Sequence, residues 1–510
     1  MSEFHRRNVT LGSRRILDFF RDKNERYWTL EGQKRALRLF HLAAKRVPAY
    51  KDFLKKNSIS PAKIRTYKDF QLVPPTSKKT YLRNYPLEKL CWDGTLKKPL
   101  VFTSTSGSTG EPFYFPRGEK LDWEYSILAE MFLRNSSYGF THEPVLVIVG
   151  LGMGAWIGGL ITYKAFEIAG LRGNAISIIT PGSNKEEIFH ALRKLAPRYK
   201  QVILVGYPPF IKDVIDEALE LDIKLRNLNL RLLFAAEAFN EKFRDYISHN
   251  VGIKHPILDT LNVYGTADIG AMAWETPTSI LIRRLALRTR RVFKELFGFT
   301  NKIPTLAQYN PLFIHFESLQ GEIVLSGSNE IPLVRYLIGD SGGVLSYDFI
   351  SKTLSGHEIS LEKASRKENI PYLSQMPFVY VCERSDFSTK LYGAIIYPEH
   401  IREVFYQKSF TSYFTGKFTL ITKHDRSHNE FLEINIELKP KVRQNKKIQI
   451  ALLHSITQSL LKQNAEYHYL AGFFGKRIEP RLVFWRYEHP TYFKRTIKQR
   501  WVKIETASPK

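Results

Sequence analysis

The sequence predicts an α/β protein: a large N-terminal domain built on mixed or parallel sheets, and a small α+β C-terminal domain. Three observations carry this. The chain has 510 residues, and a single core stops growing at about 250–300. Between residues 100 and 275, short apolar runs (VLVIVG, AISIIT, VILVG, RLLFAAE, TLNVYG) alternate with longer helical patterns, the signature of a largely parallel sheet. After Asp386 the pattern changes to strand-like FTLITKHD and FLEINIELKP, a basic linker KPKVRQNKK, and a helix at about 447–463.

The expected domains are therefore 1–385 and 386–510, with residues 1–100 helical and rich in Tyr, Lys and Arg. Residues 321–350 read as strands with turns (GEIVLSG, PLVRYLIGD, GGVLSYD), followed by the polar stretch KASRKENIPYLSQ. Neither an internal repeat nor a long low-complexity segment is visible.

Composition narrows the function classes. Apolar residues are 43% and charged residues 25%, ordinary for a soluble globular chain. The two cysteines, Cys91 and Cys382, exclude a disulfide framework and a cysteine-rich zinc site, and they fit a reducing cytoplasm. The N-terminus does not read as a secretory signal. Pro144–Tyr163 lacks charge, but its five glycines break it into a strand, a loop and a helix start instead of a membrane span. The net charge of +26 speaks to partners and not to fold. It admits nucleic acid, an anionic membrane or an anionic substrate, and a proteome-wide basic bias explains it equally well.

The strongest local signal is Thr103-Ser-Thr-Ser-Gly-Ser-Thr-Gly110, then Glu111-Pro112. Glycine lets backbone N–H groups approach an anion, and Ser/Thr hydroxyls add donors, so the loop suits polyphosphate. It is not a Walker A loop, because no Gly-Lys-[Ser/Thr] closes it. Thr105–Pro112 matches, without substitution, the T-S-G-S-T-G-x-P loop of the phenylacetate–CoA ligase branch of the adenylate-forming enzymes. Upstream, VPAYKDFL (47–54) and LVPPTSKKTYLRNYP (72–86) also look like that branch.

Further motifs follow in the family's order. Ala235-Ala-Glu-Ala238 resembles G-A-E-P, with both glycine and proline replaced by alanine. Tyr264-Gly-Thr-Ala-Asp268 is similar to Y-G-x-[ST]-E, with Asp for Glu. Pro332-Leu-Val-Arg-Tyr-Leu-Ile-Gly-Asp340 resembles P-x-x-R-Y-x-x-G-D. Glu383-Arg-Ser-Asp386 resembles the G-R-x-D hinge, with Glu383 for glycine. Ile497-Lys-Gln-Arg-Trp-Val502 is similar to the near-terminal lysine motif, again without its glycine.

The resemblance implies ATP-dependent activation of a small-molecule carboxylic acid to an acyl-adenylate, then transfer to a thiol, with coenzyme A as the expected acceptor. It implies ATP and Mg²⁺ as companions. Thr105, Ser106, Gly107, Ser108, Thr109 and Gly110 would hold phosphates. Ala236, Glu237, Tyr264, Gly265, Thr266, Asp340 and Arg384 would bind AMP, with Tyr264 on adenine and Asp340 on ribose. Asp268 would hold the metal, Asp386 would be the pivot, and Lys498 the catalytic lysine, with Lys494 as rival. No obligate nucleic-acid partner is expected. Between half-reactions the small domain would swing about its hinge. Other acceptors stay open: an amine, an alcohol or a carrier-protein thiol, in cell-surface or polysaccharide biosynthesis. So does a degenerate ligase fold that binds nucleic acid or membrane.

Several features carry weaker alternatives. Gly339-Asp-Ser-Gly-Gly343 spells a serine-protease signature but lacks a partner His and Asp in an all-β setting. Gly150-Leu-Gly-Met-Gly-Ala155 fits a dinucleotide fingerprint without the acid that should follow. The ligase reading puts it, with Tyr207–Phe210 and Tyr264–Trp274, around the acyl group. His424-Asp-Arg-Ser-His428 reads as a turn between strands. In 278–297, Leu281, Ile282, Leu285, Val292, Phe293 and Leu296 fall on one helical face, and Arg283, Arg284, Arg288, Arg290, Arg291 and Lys294 supply charge. This is either a helix packed on the domain edge or a contact for an anionic membrane or acidic substrate.

Overall fold

The computed structural model describes residues 13–104, 113–139, 143–154, 157–298, 303–382, 388–392, 394–425, 430–493 and 501–502. Two compact units emerge: Met1–Ala238 with Ser248–Gly298 and Pro304–Val381, and Cys382–Lys510 with Phe239–Ile247 and Phe299–Ile303.

The strands of the larger unit are β1 (Thr76–Ser77), β2 (Val101–Ser104), β3 (Tyr114–Arg117), β4 (Val145–Val149), β5 (Ile176–Ile179), β6 (Gln201–Gly206), β7 (Leu230–Ala235), β8 (Thr260–Thr266), β9 (Gly270–Trp274), β10 (Thr305–Gln308), β11 (Ile314–Leu319), β12 (Glu322–Gly327), β13 (Leu333–Leu345) and β14 (Phe378–Cys382). Among the described residues, twelve of these form one sheet in the order β11-β12-β13-β14-β10-β9-β8-β7-β6-β4-β5, with β1 beside β13. β5, β4, β6, β7 and β8 run parallel. The β8–β9 pair turns antiparallel.

Sequence explains the parallel half. VLVIV and QVILVG are buried along their whole length, as strands covered on both faces must be. Between β4 and β6 the connections diverge, β4 leading outward to β5 and β6 leading inward to β7. Such a switch point opens a crevice at the carboxyl ends of the strands, here at Gly150 and Tyr207. The uncharged window Pro144–Tyr163 resolves into β4, a loop and the start of the helix Ile157–Leu171. No helix among the described residues is long and apolar enough to cross a membrane.

The N-terminal helices Glu25–Arg46 and Pro48–Lys56 pack on the antiparallel half. Phe40, Tyr50, Phe70, Tyr81 and Leu82 share a cluster with Phe316, Leu325, Tyr336 and Val379. At its margin the Tyr67 hydroxyl meets His315 Nε2 at 2.7 Å. Burial pushes the His315 imidazole down to about 4. A neutral ring accepts the tyrosine proton, whereas a charged ring cannot. The folded pKa lies below the ordinary 6.5, so this contribution is full above pH 6.5 and lost as pH falls toward 4. Urea titrations between pH 7 and 4 should therefore show the wild type losing about 1–3 kcal/mol more than His315→Gln. Parallel curves for the two proteins would refute this.

Two sequence expectations change. PLVRYLIGD and GGVLSYD are not separate strands: β13 runs through both, to Leu345. The polar stretch KASRKENIPYLSQ begins inside a helix, Leu361–Lys367, capped by Ser360. The protease-like glycines also gain a purpose, since a Cβ at Gly342 or Gly343 would overlap Tyr380.

The segment 278–297 forms two helices, Pro277–Arg288 and Arg290–Phe297. Their apolar face is consumed inside the larger unit, where Leu281, Ile282, Leu285, Val292 and Leu296 pack with Leu306, Ile350 and Phe378. Arg283 does not supply surface charge. It is buried and pairs with Glu275 at 3.3 Å. Arg288, Arg290, Arg291 and Lys294 remain exposed, so an anionic contact through this segment would rest on charge without an apolar anchor.

The smaller unit has the hairpin β15 (Thr389–Leu391) and β16 (Ala394–Ile396), and a sheet of β17 (Phe414–His424), β18 (Glu430–Leu438) and β19 (Arg481–Trp485). β17–β18 is antiparallel and β18–β19 parallel. The helix Lys446–Gln463 is capped by Asn445, whose side chain accepts from the Lys447 and Ile448 amides. Its Leu452, Ile456 and Leu460 face Phe405, Phe418 and Trp501 in this unit's core.

Candidate active site

Of the residues anticipated from sequence, Ala236, Glu237, Tyr264, Gly265, Thr266 and Asp268 lie at or just beyond the carboxyl ends of β7 and β8, and Asp340 meets Tyr264 from β13. β7 ends at Ala235, and Ala236 adopts φ 72°. This left-handed conformation is strained for a residue with a Cβ and turns the chain sharply into Glu237. The carbonyl of Glu237 accepts from Asn262 Nδ2 at 3.1 Å. Asn262 is fixed in turn, because its amide donates to Glu275 Oε2 at 2.9 Å. Arg283 thus braces β8 through Glu275.

β8 carries Tyr264, Gly265 and Thr266. The Tyr264 hydroxyl donates to Asp340 Oδ2 at 2.6 Å, and its ring lies stacked toward Phe316 with centroids 6.5 Å apart. Asp340 sits within β13 and is 7% exposed. In the turn after β8, the Asp268 amide donates to Thr266 Oγ1 at 3.3 Å. The Asp268 carboxylate, 6% exposed, accepts from two sides: Tyr336 Oη at 2.6 Å on Oδ2 and Lys78 Nζ at 3.3 Å on Oδ1. The Lys78 ammonium also stands 5.9 Å from the Phe115 ring.

Sequence reasoning gave no role to Lys78 or Tyr336. Both lie inside stretches that drew attention, and the signal available was the lysine two residues beyond Thr76 in PPTSKK. Their convergence on Asp268 depends on pairing across the chain, Thr76 opposite Tyr336 in β1 and β13.

The Ser/Thr/Gly loop, Thr105–Gly110, lies outside the described residues, as do Arg384, Asp386, Lys494 and Lys498. The flanks of the loop are described. β2 and β3 form an antiparallel hairpin, with Ser104 opposite Tyr114. Its base is tied down by Arg117 Nε to Asp122 Oδ1 at 3.1 Å and by an ion pair of Lys98 with Glu330. The Lys120 ammonium adds a bond to the Ser328 carbonyl at 3.0 Å.

Gly150, at the head of the dinucleotide-like fingerprint, serves packing. A Cβ there would stand 2.8 Å from the Val205 carbonyl, at the β4–β6 switch point.

The chemistry of Asp268 fits a magnesium ion that would arrive with phosphates. Among the described residues no group of three or more His, Cys, Asp or Glu gathers. Mg²⁺ commonly takes one or two carboxylates and completes its shell with substrate phosphates and water. Asp268 offers one such carboxylate, with two of its roughly four acceptor positions already used.

Solved structures place this fold. The chain is similar to a 2-hydroxyisobutyryl-CoA ligase in the postadenylation state in complex with R3-HIB-AMP, at 15% identity and a TM-score of 0.65, over 93% of this chain and 89% of that one. It is also similar to that ligase in the thioesterification state with 2-HIB-AMP and CoA, at 14% identity and a TM-score of 0.51, over 96% and 91%. No protein-family model and no curated protein matches the sequence. The chain therefore has the fold of the adenylate-forming ligases, with a large α/β unit and a small unit carrying its own sheet.

Proposed function

We propose, from an adenylate-forming ligase fold with its polar residues gathered at the strand ends, that this chain activates a carboxylic acid with ATP and passes the acyl group to a thiol, coenzyme A in the first instance. The observation that carries the reading is the pairing of Tyr264 with Asp340, beside Asp268 held between Lys78 and Tyr336. The intact Thr105–Pro112 loop supports the phenylacetate–CoA ligase-like branch.

In this reading the Tyr264 ring covers adenine, and its hydroxyl keeps Asp340 oriented for the ribose hydroxyls. Lys78 brings a positive charge to the polyphosphate, and Asp268 keeps that ammonium in place. Asp268 would also hold Mg²⁺, which supplies neutralisation of phosphate charge when bound. The substrate carboxylate attacks the α-phosphorus, the bond to the β-phosphate bridging oxygen breaks, and pyrophosphate leaves along the Ser/Thr/Gly loop. Lys498 would stabilise the charge on the carboxylate and α-phosphate oxygens. The intermediate is a mixed anhydride, so no nucleophilic side chain is required.

The test is pyrophosphate release from ATP and Mg²⁺ across a panel of carboxylic acids, without and then with coenzyme A. Acid-dependent release that Lys498→Ala abolishes, and that coenzyme A stimulates, is the expected result. Folded protein that neither releases pyrophosphate with any acid nor is stabilised thermally by ATP would sink the reading.

A further inference from the structure

We propose that Arg335 is a positioning residue, acting through the backbone of residues 71–77 to set where the Lys78 ammonium stands. Its consequence for rate rests on the adenylation reading, whereas its geometry does not.

The β12–β13 register shifts around it. Leu325 pairs with Tyr336, but Gly327 pairs with Leu333, so Val334 and Arg335 together face Ser326. Such a bulge re-aims a side chain. Arg335 has φ 45°, left-handed for a non-glycine, and the amide displaced from the ladder donates to Ser326 Oγ at 2.9 Å. The guanidinium, buried with the residue 5% exposed, is thereby turned onto the Gln71–Val73 backbone. Nη1 donates to the carbonyls of Gln71 and Val73. Nε donates to Glu317 Oε2 at 3.2 Å, which anchors the fork from behind.

The segment needs such an anchor. Pro74 and Pro75 have no N–H, and β1 is only two residues long, too short to fix a register by itself. Thr76 adds one bond, Oγ1 to the Val334 carbonyl at 3.0 Å. Lys78 follows directly after β1. On the other side of β13, the next residue, Tyr336, bonds the same Asp268 carboxylate that Lys78 reaches. One bulge therefore sets both partners of Asp268. Lysine has a single side-chain nitrogen, so it cannot meet the two carbonyls and Glu317 at once, as Nη1 and Nε of the rigid guanidinium do.

The experiment is competitive acylation of lysines, read by peptide mass spectrometry, on the full chain. In the wild type Lys78 should react more slowly than its exposed neighbour Lys79. In Arg335→Lys, and in Arg335→Gly, which takes φ 45° without strain, Lys78 should approach the rate of Lys79. Buried Lys212 reports global loosening and should stay protected. Pyrophosphate release should fall by on the order of 10–100-fold in Arg335→Lys, with Lys78→Ala adding little in the double variant. Unchanged Lys78 labelling, or Lys78 and Lys212 rising together in both variants, overturns the assignment. Rising Lys78 labelling without any pyrophosphate activity in the wild type would uphold the geometry and remove the adenylation reading instead.

Discussion

Asp268→Asn is expected to lower acid-dependent pyrophosphate release by on the order of 10²–10³-fold, the usual cost of removing one preorganised electrostatic group. Asparagine keeps the shape and still accepts the Tyr336 hydroxyl at Oδ2's former place. What it loses is the charge that holds the Lys78 ammonium and that would hold Mg²⁺. If both groups act on charge that develops during phosphoryl transfer, kcat and kcat/KM fall together. The Mg²⁺ dependence should also move to higher concentration. Steady-state kinetics over a magnesium titration decide this. An unchanged rate at all magnesium concentrations would mean that the phosphates bind elsewhere.

Asp259→Ala should cost the larger unit about 3–5 kcal/mol, because it strands a buried charge. Arg231 and Asp259 are both fully buried, with Nε and Oδ1 3.1 Å apart. Asp259 also accepts from the Ser137 amide at 3.1 Å and from the Ser137 hydroxyl. Arg231 Nη2 donates to the carbonyls of Phe132 and Leu258 at 2.6 and 3.0 Å. Burial pushes the Arg231 guanidinium down to about 10, and Asp259 is the chief opposing influence. Arg231 is the second residue of β7, the strand that ends at Ala235 beside Ala236, so a disturbance there reaches the candidate site. Urea unfolding followed by tryptophan fluorescence measures the change. Arg231→Met with Asp259→Leu should recover most of the stability, since apolar replacement of a whole buried pair is often near neutral. A loss under about 1 kcal/mol for the single variant would contradict the argument.

What was legible in the sequence was what local pattern encodes. VLVIV, VILVG and LLFA are apolar without interruption, because parallel strands are covered on both faces. The helix at 446–463 and the strands FTLITKHD and FLEINIEL stand out for similar reasons of period. Long-range pairing was not legible. Nothing local says that β10 lies between β9 and β14, or that Arg283, one arginine among many in a basic stretch, turns inward to Glu275. The candidate site divides the same way. Tyr264, Asp268 and Asp340 sit in motifs that a reader can find, whereas Lys78 and Tyr336 gain meaning from the β1–β13 pairing. Arg335 is a motif residue whose work appears only with the bulge.

The cluster that joins the N-terminal helices to β11–β13 has a consequence for how the protein is made. Thr76 and its partner Val334 are separated by 258 positions. At roughly 5–20 residues per second, the partner is synthesised on the order of 10–50 s after the helices that need it. Through that interval Phe40, Tyr50, Phe70, Tyr81 and Leu82 have left the ribosome without the surface that will cover them. Nascent chains truncated before β13 should therefore be adhesive intermediates that chaperones hold, and slowing translation upstream of residue 333 should lower the yield of soluble protein.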